Sequence, residues 1–76
     1  MEKIYINTDY IKLDQFLKYV NVVEGGGMAK FVILEGLVKV NGEIELQRGK
    51  KLKNGYKVEF NNEKYLILNE EQIDSK

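Results

Sequence analysis

The sequence predicts an α+β fold, with two helices packed on one face of a small, mainly antiparallel β-sheet. Three observations carry this reading. Leu13, Phe16, Leu17 and Val20 recur at i, i+3, i+4, i+7, the stripe of an amphipathic helix. A second apolar segment follows at Met28 to Glu35, and after it come short alternating runs separated by turn signals. Helices and strands gathered in blocks, rather than alternating, read as α+β.

The elements follow in order. Lys3 to Asn7 alternates, with Ile4 and Ile6 on one face and Tyr5 on the other, as a short strand does, and Thr8-Asp9-Tyr10 turns. On the first helix Asp14, Gln15 and Lys18 fall on the outer face, and Asp14 in the first turn suits the helix dipole. Gly25-Gly26-Gly27 interrupts the chain. The second helix, Met28 to Glu35, has two apolar stripes: Ala29, Val32 and Ile33, then Met28, Phe31 and Leu34. A short helix apolar on two sides needs a core on both or a partner on one. Gly36 ends it, because glycine accepts the left-handed conformation found after helices.

Asn41-Gly42 between Leu37–Val40 and Glu43–Leu46 is a strong hairpin signal, and Val38 and Val40 are expected to share their buried face with Ile44 and Leu46. A basic stretch, residues 47–53, runs on to a turn at Asn54-Gly55. Strands are expected at Tyr56 to Phe60 and Lys64 to Leu68, with Asn61-Asn62-Glu63 turning between them. The expected organisation is one domain over residues 1–68 and an acidic tail over 69–76.

The composition narrows the function classes. With 76 residues, 43% of them hydrophobic, the chain has the makeup of one small globular domain. Its longest apolar run, Phe31 to Leu34, is far short of the roughly 20 residues a membrane span needs, and its start lacks signal-peptide character, so a cytoplasmic setting is expected. There is no histidine and no cysteine, which removes the commonest general base, the best nucleophile and every imidazole or thiolate metal site. The carboxylate pairs Glu43/Glu45 and Glu70/Glu71 fall on an exposed hairpin face and in the tail, where water is not excluded. No catalysis, cofactor, metal or small-molecule substrate is expected.

The net charge is zero, yet it is unevenly spread: residues 1–36 carry −1, residues 37–57 carry +4 and residues 58–76 carry −3. A phosphate backbone responds to the local potential, so the middle segment is the informative one. Arg48, Lys50, Lys51 and Lys53 lie close together on a glycine-containing stretch, and Lys39 precedes them on a strand. Lys12 and Lys30 lie at the first and second helices, from where they could converge on the same basic face. A solvated loop is the bland alternative for such a run. Gly26 and Gly27 are candidates for a backbone contact to phosphate at a helix start, although the nucleotide-loop ending Gly-Lys-Ser/Thr is missing. Most aromatics are expected in core or sheet packing. Phe31, off the inner stripe, is the candidate for stacking or for a partner contact.

Lys12-Leu13-Asp14-Gln15-Phe16-Leu17-Lys18, Gly26-Gly27-Met28-Ala29-Lys30, Glu35 to Glu43 and Arg48 to Val58 together resemble the S4 (alpha-L) RNA-binding domain, named after ribosomal protein S4. The resemblance covers roughly residues 11–60 and looks like the short stand-alone bacterial members often called YaaA-type. It implies a two-helix motif on a small sheet that docks on structured RNA: ribosomal RNA or an assembly intermediate first, transfer RNA second, with ribosomal proteins as further partners. Carried over by position, it implies Lys12, Lys30, Lys39, Arg48, Lys50, Lys51 and Lys53 as RNA contacts. The chain departs from the family where Lys12 replaces the usual Arg, with the loss of a bidentate fork to phosphate, and where Gly55-Tyr56 replaces Gly-Asp. A protein-interaction module, a homodimer or a ribosomal-protein contact through the second face of the second helix, is the competing expectation.

Overall fold

The computed structural model describes residues 1–70, and the acidic residues 71–76 lie outside the described part. The chain runs β1 (Glu2–Ile6), β2 (Ile11–Lys12), α1 (Leu13–Tyr19), α2 (Gly26–Leu34), β3 (Val38–Val40), β4 (Glu43–Ile44), β5 (Lys51–Leu52), β6 (Lys57–Phe60) and β7 (Glu63–Asn69). Five strands form one sheet in the order β1-β7-β6-β3-β4, and β2 and β5 form a separate antiparallel pair. All pairings in the larger sheet are antiparallel except β1 with β7, which is parallel and brings the first strand beside the last.

Both helices stop in the same way. Asn21 (φ 63°) and Gly36 (φ 77°) adopt the left-handed conformation just past α1 and α2. The next amides reach back, Val22 to the Leu17 carbonyl and Leu37 to the Val32 carbonyl, which satisfies carbonyls the helix leaves unpaired. The second stop was expected at Gly36. The first was not, although Asn tolerates this conformation better than any residue but glycine. α2 begins two residues before the expected Met28, so Gly26 and Gly27 form its first turn, with the Ala29 amide bonded to the Gly25 carbonyl.

The core joins the helices to the inner face of the sheet: Leu13, Phe16 and Leu17 of α1, Ala29, Val32 and Ile33 of α2, and Val38, Val40, Val58, Tyr65 and Ile67. The Phe16 and Tyr65 rings meet edge to face, 5.6 Å between centroids, and this contact pins α1 to β7. Asn69, buried at the end of β7, donates its amide N–H to Asn54 Oδ1 and its side-chain NH₂ to the Thr8 carbonyl, tying three segments together. β7 therefore runs one residue past the boundary expected at Leu68.

The β3–β4 hairpin corrects one expectation. Asn41 (φ 54°) and Gly42 (φ 88°) form the anticipated two-residue turn. That turn length sets Val40 opposite Glu43 and Lys39 opposite Ile44. Side chains opposite one another share a face, so Ile44 belongs with Lys39, not with Val38 and Val40. Ile44 and Leu46 are accordingly 58% and 54% exposed rather than buried. The error is one of parity across the turn. A second two-residue turn, Asn61 (φ 56°) and Asn62 (φ 68°), joins β6 to β7 and pairs Phe60 with Glu63.

Candidate nucleic-acid interface

The basic stretch is not a free loop. Lys51 and Leu52 form β5, which pairs with β2 so that Ile11 lies opposite Leu52 and Lys12 opposite Lys51. Leu52 is fully buried, and its burial anchors the cations on either side of it to the core. The first amides of α1 complete the lock: Leu13 N–H donates to the Lys50 carbonyl at 2.8 Å and Asp14 N–H to the Arg48 carbonyl at 3.0 Å. The side chain of the N-cap residue Lys12 makes no capping bond and Asp14 Oδ1 accepts only the Gln15 N–H, so the loop carbonyls take the first two amides. The carbonyls of Arg48 and Lys50 thus face the helix, and their side chains are left to project elsewhere.

Four of the expected cations, Lys12, Arg48, Lys50 and Lys51, are held together around the start of α1 by this backbone. Lys51 Nζ lies 5.0 Å from the centre of the Tyr10 ring, a cation–π contact that steadies its side chain. A Lys directly opposite a Lys on a paired strand is unfavourable by a few tenths of a kcal/mol or more, roughly the 0.2–1 kcal/mol that opposite charges there would contribute. The rule is broken where Arg48 and Lys50 add further charge.

The other expected residues are placed differently. Lys53 is exposed just beyond β5, and its carbonyl accepts the Tyr56 N–H in the turn at Asn54-Gly55. Lys30 is exposed on α2. Lys39 does not join the α1 group: Val38 and Val40 on either side of it are buried in the core, so its side chain is on the opposite face of the sheet. At the start of α2, Lys18 Nζ lies 4.0 Å from where a Gly26 Cβ would stand, so the cation beside the Gly26-Gly27 turn is Lys18, whose spacing alone assigns it only to the outer face of α1. Nothing in the spacing of Lys18 and Gly26 foretells that approach, which comes from the packing of α1 on α2.

The aromatics also divide. Tyr65 is buried as expected, and burial, then the charges of Glu63 and Glu2, pushes its hydroxyl pKa up from 10.0. Tyr56 and Phe60 pack against the core and Tyr5 lies on the outer face of β1, as core or sheet packing for most aromatics requires, whereas Tyr10 and Tyr19 are 37% and 62% exposed outside the sheet. Met28, Phe31 and Leu34 are all more than half exposed, so the second stripe of α2 is solvent-facing among the described residues.

Among the described residues no group of three or more acidic side chains is placed to hold a metal, and no helix is long and apolar enough to cross a membrane. A shallow 380 Å³ groove, lined in part by Lys39, Phe60, Asn61, Asn62 and Lys64, opens at the other side of the molecule's sheet.

Comparison with known proteins points in one direction. The family model described as S4 domain matches residues 4–68. A Bacillus subtilis (strain 168) protein named probable ribosome maturation protein RlbA is 48% identical over 57 residues, which is 75% of this chain and 80% of that protein. The solution structure of YbcJ from E. coli, described as revealing an αL motif involved in RNA-binding, superposes with a TM-score of 0.68 at 29% identity, covering 90% of this chain and 87% of that one.

Proposed function

This chain belongs to the S4 domain family, and from that premise we propose that it is a non-catalytic RNA-binding protein that docks on structured RNA, namely ribosomal RNA or a ribosome assembly intermediate. The observation that carries the reading is the Lys12–Lys51 pair, a like-charge pairing with Arg48 and Lys50 on the same short segment. Sites where a local rule of stability is broken tend to be functional ones. A phosphate placed among these ammonium groups turns their repulsion into attraction.

The mechanism follows from the shape of A-form RNA. Its major groove is too deep and narrow for side chains to read, so recognition rests on phosphates, 2′-hydroxyls and spacing. Cations fixed to α1 by backbone hydrogen bonds supply that spacing at low entropic cost. Lys12, Arg48, Lys50 and Lys51 make the central phosphate contacts. Lys53 and Lys30 extend them, with Lys18 and the Gly26 and Gly27 amides at the start of α2. The name of the B. subtilis relative, which refers to ribosome maturation, and the RNA-binding motif of the YbcJ structure support this assignment.

Fluorescence anisotropy against a folded ribosomal RNA fragment and a matched DNA duplex, at low and moderate salt, tests it. RNA binding that weakens steeply with salt and exceeds DNA binding is the expected result. Absence of binding to either at low salt would remove the reading.

One observation favours a second reading. Met28, Phe31, Leu34, Leu37, Ile44 and Leu46 are each 51–58% exposed, and Ile44 Cγ2 lies 3.7 Å from where a Gly36 Cβ would stand, so part of this apolar surface is continuous from α2 to β4. Surfaces of this kind mark protein contacts. A homodimer or a ribosomal-protein contact through α2 would use it. Phe31→Asp that abolishes such a complex and leaves RNA affinity intact would support that role.

A further inference from the structure

The register of the five-stranded sheet sorts its charges by face. Val40, Val58, Tyr65 and Ile67 point inward, so Lys39, Glu59 and Lys64, aligned across β3, β6 and β7, point outward. Lys57, Leu66 and Lys3, aligned across β6, β7 and β1, form a second outward row, with Leu68 and Tyr5 beyond it. The five strands contain four lysines, and all four, Lys3, Lys39, Lys57 and Lys64, take the outward parity and are exposed. Of their four glutamates only Glu59 does so; Glu2, Glu43 and Glu63 are in register with the core residues Tyr65 and Val40 or with Phe60. The outer face therefore carries a net +3 on the side of the sheet away from both helices.

A groove of about 380 Å³ opens at one end of this face. Lys39, Glu59 and Lys64, all of outward parity, line it with the Asn61-Asn62 turn and Leu37, and Phe60 and Glu63 border it from the inward register. Amide groups and carboxylates are the partners that read the edge of an unpaired base. A free small anion would be repelled by the Glu59 carboxylate. A nucleotide within a strand meets lysines at its phosphates and the mixed groove at its base.

We propose that the outer sheet face binds a single-stranded RNA segment, with Lys3, Lys57, Lys64 and Lys39 on its phosphates and one base in the groove beside Asn61 and Asn62. Neighbouring strands are about 4.8 Å apart, so lysines two strands apart within a row stand about 10 Å from each other, a spacing held by the ladder. The inference rests on the RNA-binding reading and extends it: the chain holds folded RNA at the start of α1 and a flexible RNA segment on the opposite side, and so bridges two RNA elements.

The test uses the full chain and two probes, a fluorescent oligouridylate and a bead-bound folded ribosomal RNA fragment. Lys3→Glu/Lys57→Glu/Lys64→Glu is expected to lose about tenfold or more in oligouridylate affinity and to flatten its salt slope by about 2, at roughly 0.7 per phosphate contact. Its affinity for the folded fragment stays within twofold, and it no longer recruits oligouridylate to protein-loaded beads. Lys50→Glu/Lys51→Glu gives the reverse pattern. Circular dichroism confirms folding, and glutamine at the same three sheet positions replaces glutamate should the triple reversal unfold. Unchanged oligouridylate binding in the sheet variant overturns the proposal, as does a parallel loss of both probes in both variants, which would mean a single surface. Oligouridylate binding that needs the sheet lysines while the folded fragment is not bound at all would remove the preceding reading and leave this one standing.

Discussion

The two cationic regions of this protein are built in opposite ways. At the start of α1 the charges are neighbours in sequence: Arg48, Lys50, Lys51 and Lys53 form one run, brought to Lys12 by a two-residue strand pairing and two backbone hydrogen bonds. On the outer sheet face they are scattered over residues 3 to 64 and gathered only because each occupies the outward register of its strand. The first region depends on one buried residue, Leu52, for its position. The second depends on the whole ladder. A local change can therefore dislodge the first, while the second yields only to a change of register or of the charges themselves.

Truncating the anchor is the strongest way to break that contrast. Leu52→Ala should cost about 2–5 kcal/mol of stability, the usual range for a fully buried leucine. Folded-RNA affinity should fall at temperatures where the fold survives, and the β1–β7 amides should keep more hydrogen-exchange protection than those of β2 and β5. Denaturant melts and exchange measurements read both. Equal loss of protection everywhere would mean that the two regions unfold as one.

Next in size is Lys50→Glu with Lys51→Glu. Removing two phosphate contacts should lower affinity for all folded RNA targets alike, roughly 10- to 100-fold at moderate salt, and flatten the salt slope by about 2. An unchanged slope would move the binding face elsewhere. Lys12→Glu separates function from stability more sharply. It replaces the like-charge pair with an attractive one, so the melting midpoint should rise by an amount corresponding to about 0.2–1 kcal/mol while RNA binding weakens. A fall in both would show that the pair is not under repulsion.

The sheet region has its own pH signature. Tyr65 holds its proton more tightly when folded than its ordinary value of 10.0, chiefly through burial and secondarily through Glu63 and Glu2. Below pH 10 both states keep the proton and the group adds no pH dependence. Above it the unfolded chain ionises first, so stability falls as pH rises. Tyr65→Phe should unfold less readily than the wild type above pH 10, relative to their difference at pH 7. The smallest effect is expected at Gly49: a Cβ there meets nothing within 4 Å and its φ is not positive, so Gly49→Ala should change stability by no more than about 0.5 kcal/mol. A large loss would mean that the segment adopts a conformation in which a side chain at this position is not accommodated.

Much of the molecule is legible in the sequence. The 3.6-residue stripe of α1, the stop at Gly36 and the Asn41-Gly42 turn are local patterns, and each appeared where the pattern put it. So did the run of cations at 48–53, because composition along the chain is a property of the sequence alone. The S4 resemblance extended this to the fold and matched the family found over residues 4–68. The failures were of another kind. Ile44 and Leu46 came out exposed because the register across a two-residue turn reverses the parity that simple alternation suggests. Leu52 is a lone apolar residue within the basic stretch 47–53, and only its pairing opposite Ile11 makes it core.

Periodicity, turn chemistry and charge distribution act between residues a few positions apart, so the chain determined by itself its helices, turns and basic segment. Contacts between distant segments have no such local signature. The parallel pairing of β1 with β7, the placement of Lys12 opposite Lys51, the approach of Lys18 to Gly26 and the gathering of four lysines on the outer sheet face were decided only when the core closed. A strand shows its alternation in sequence, but which face is inner, and which charges stand side by side on the other, is set by the register its neighbours impose.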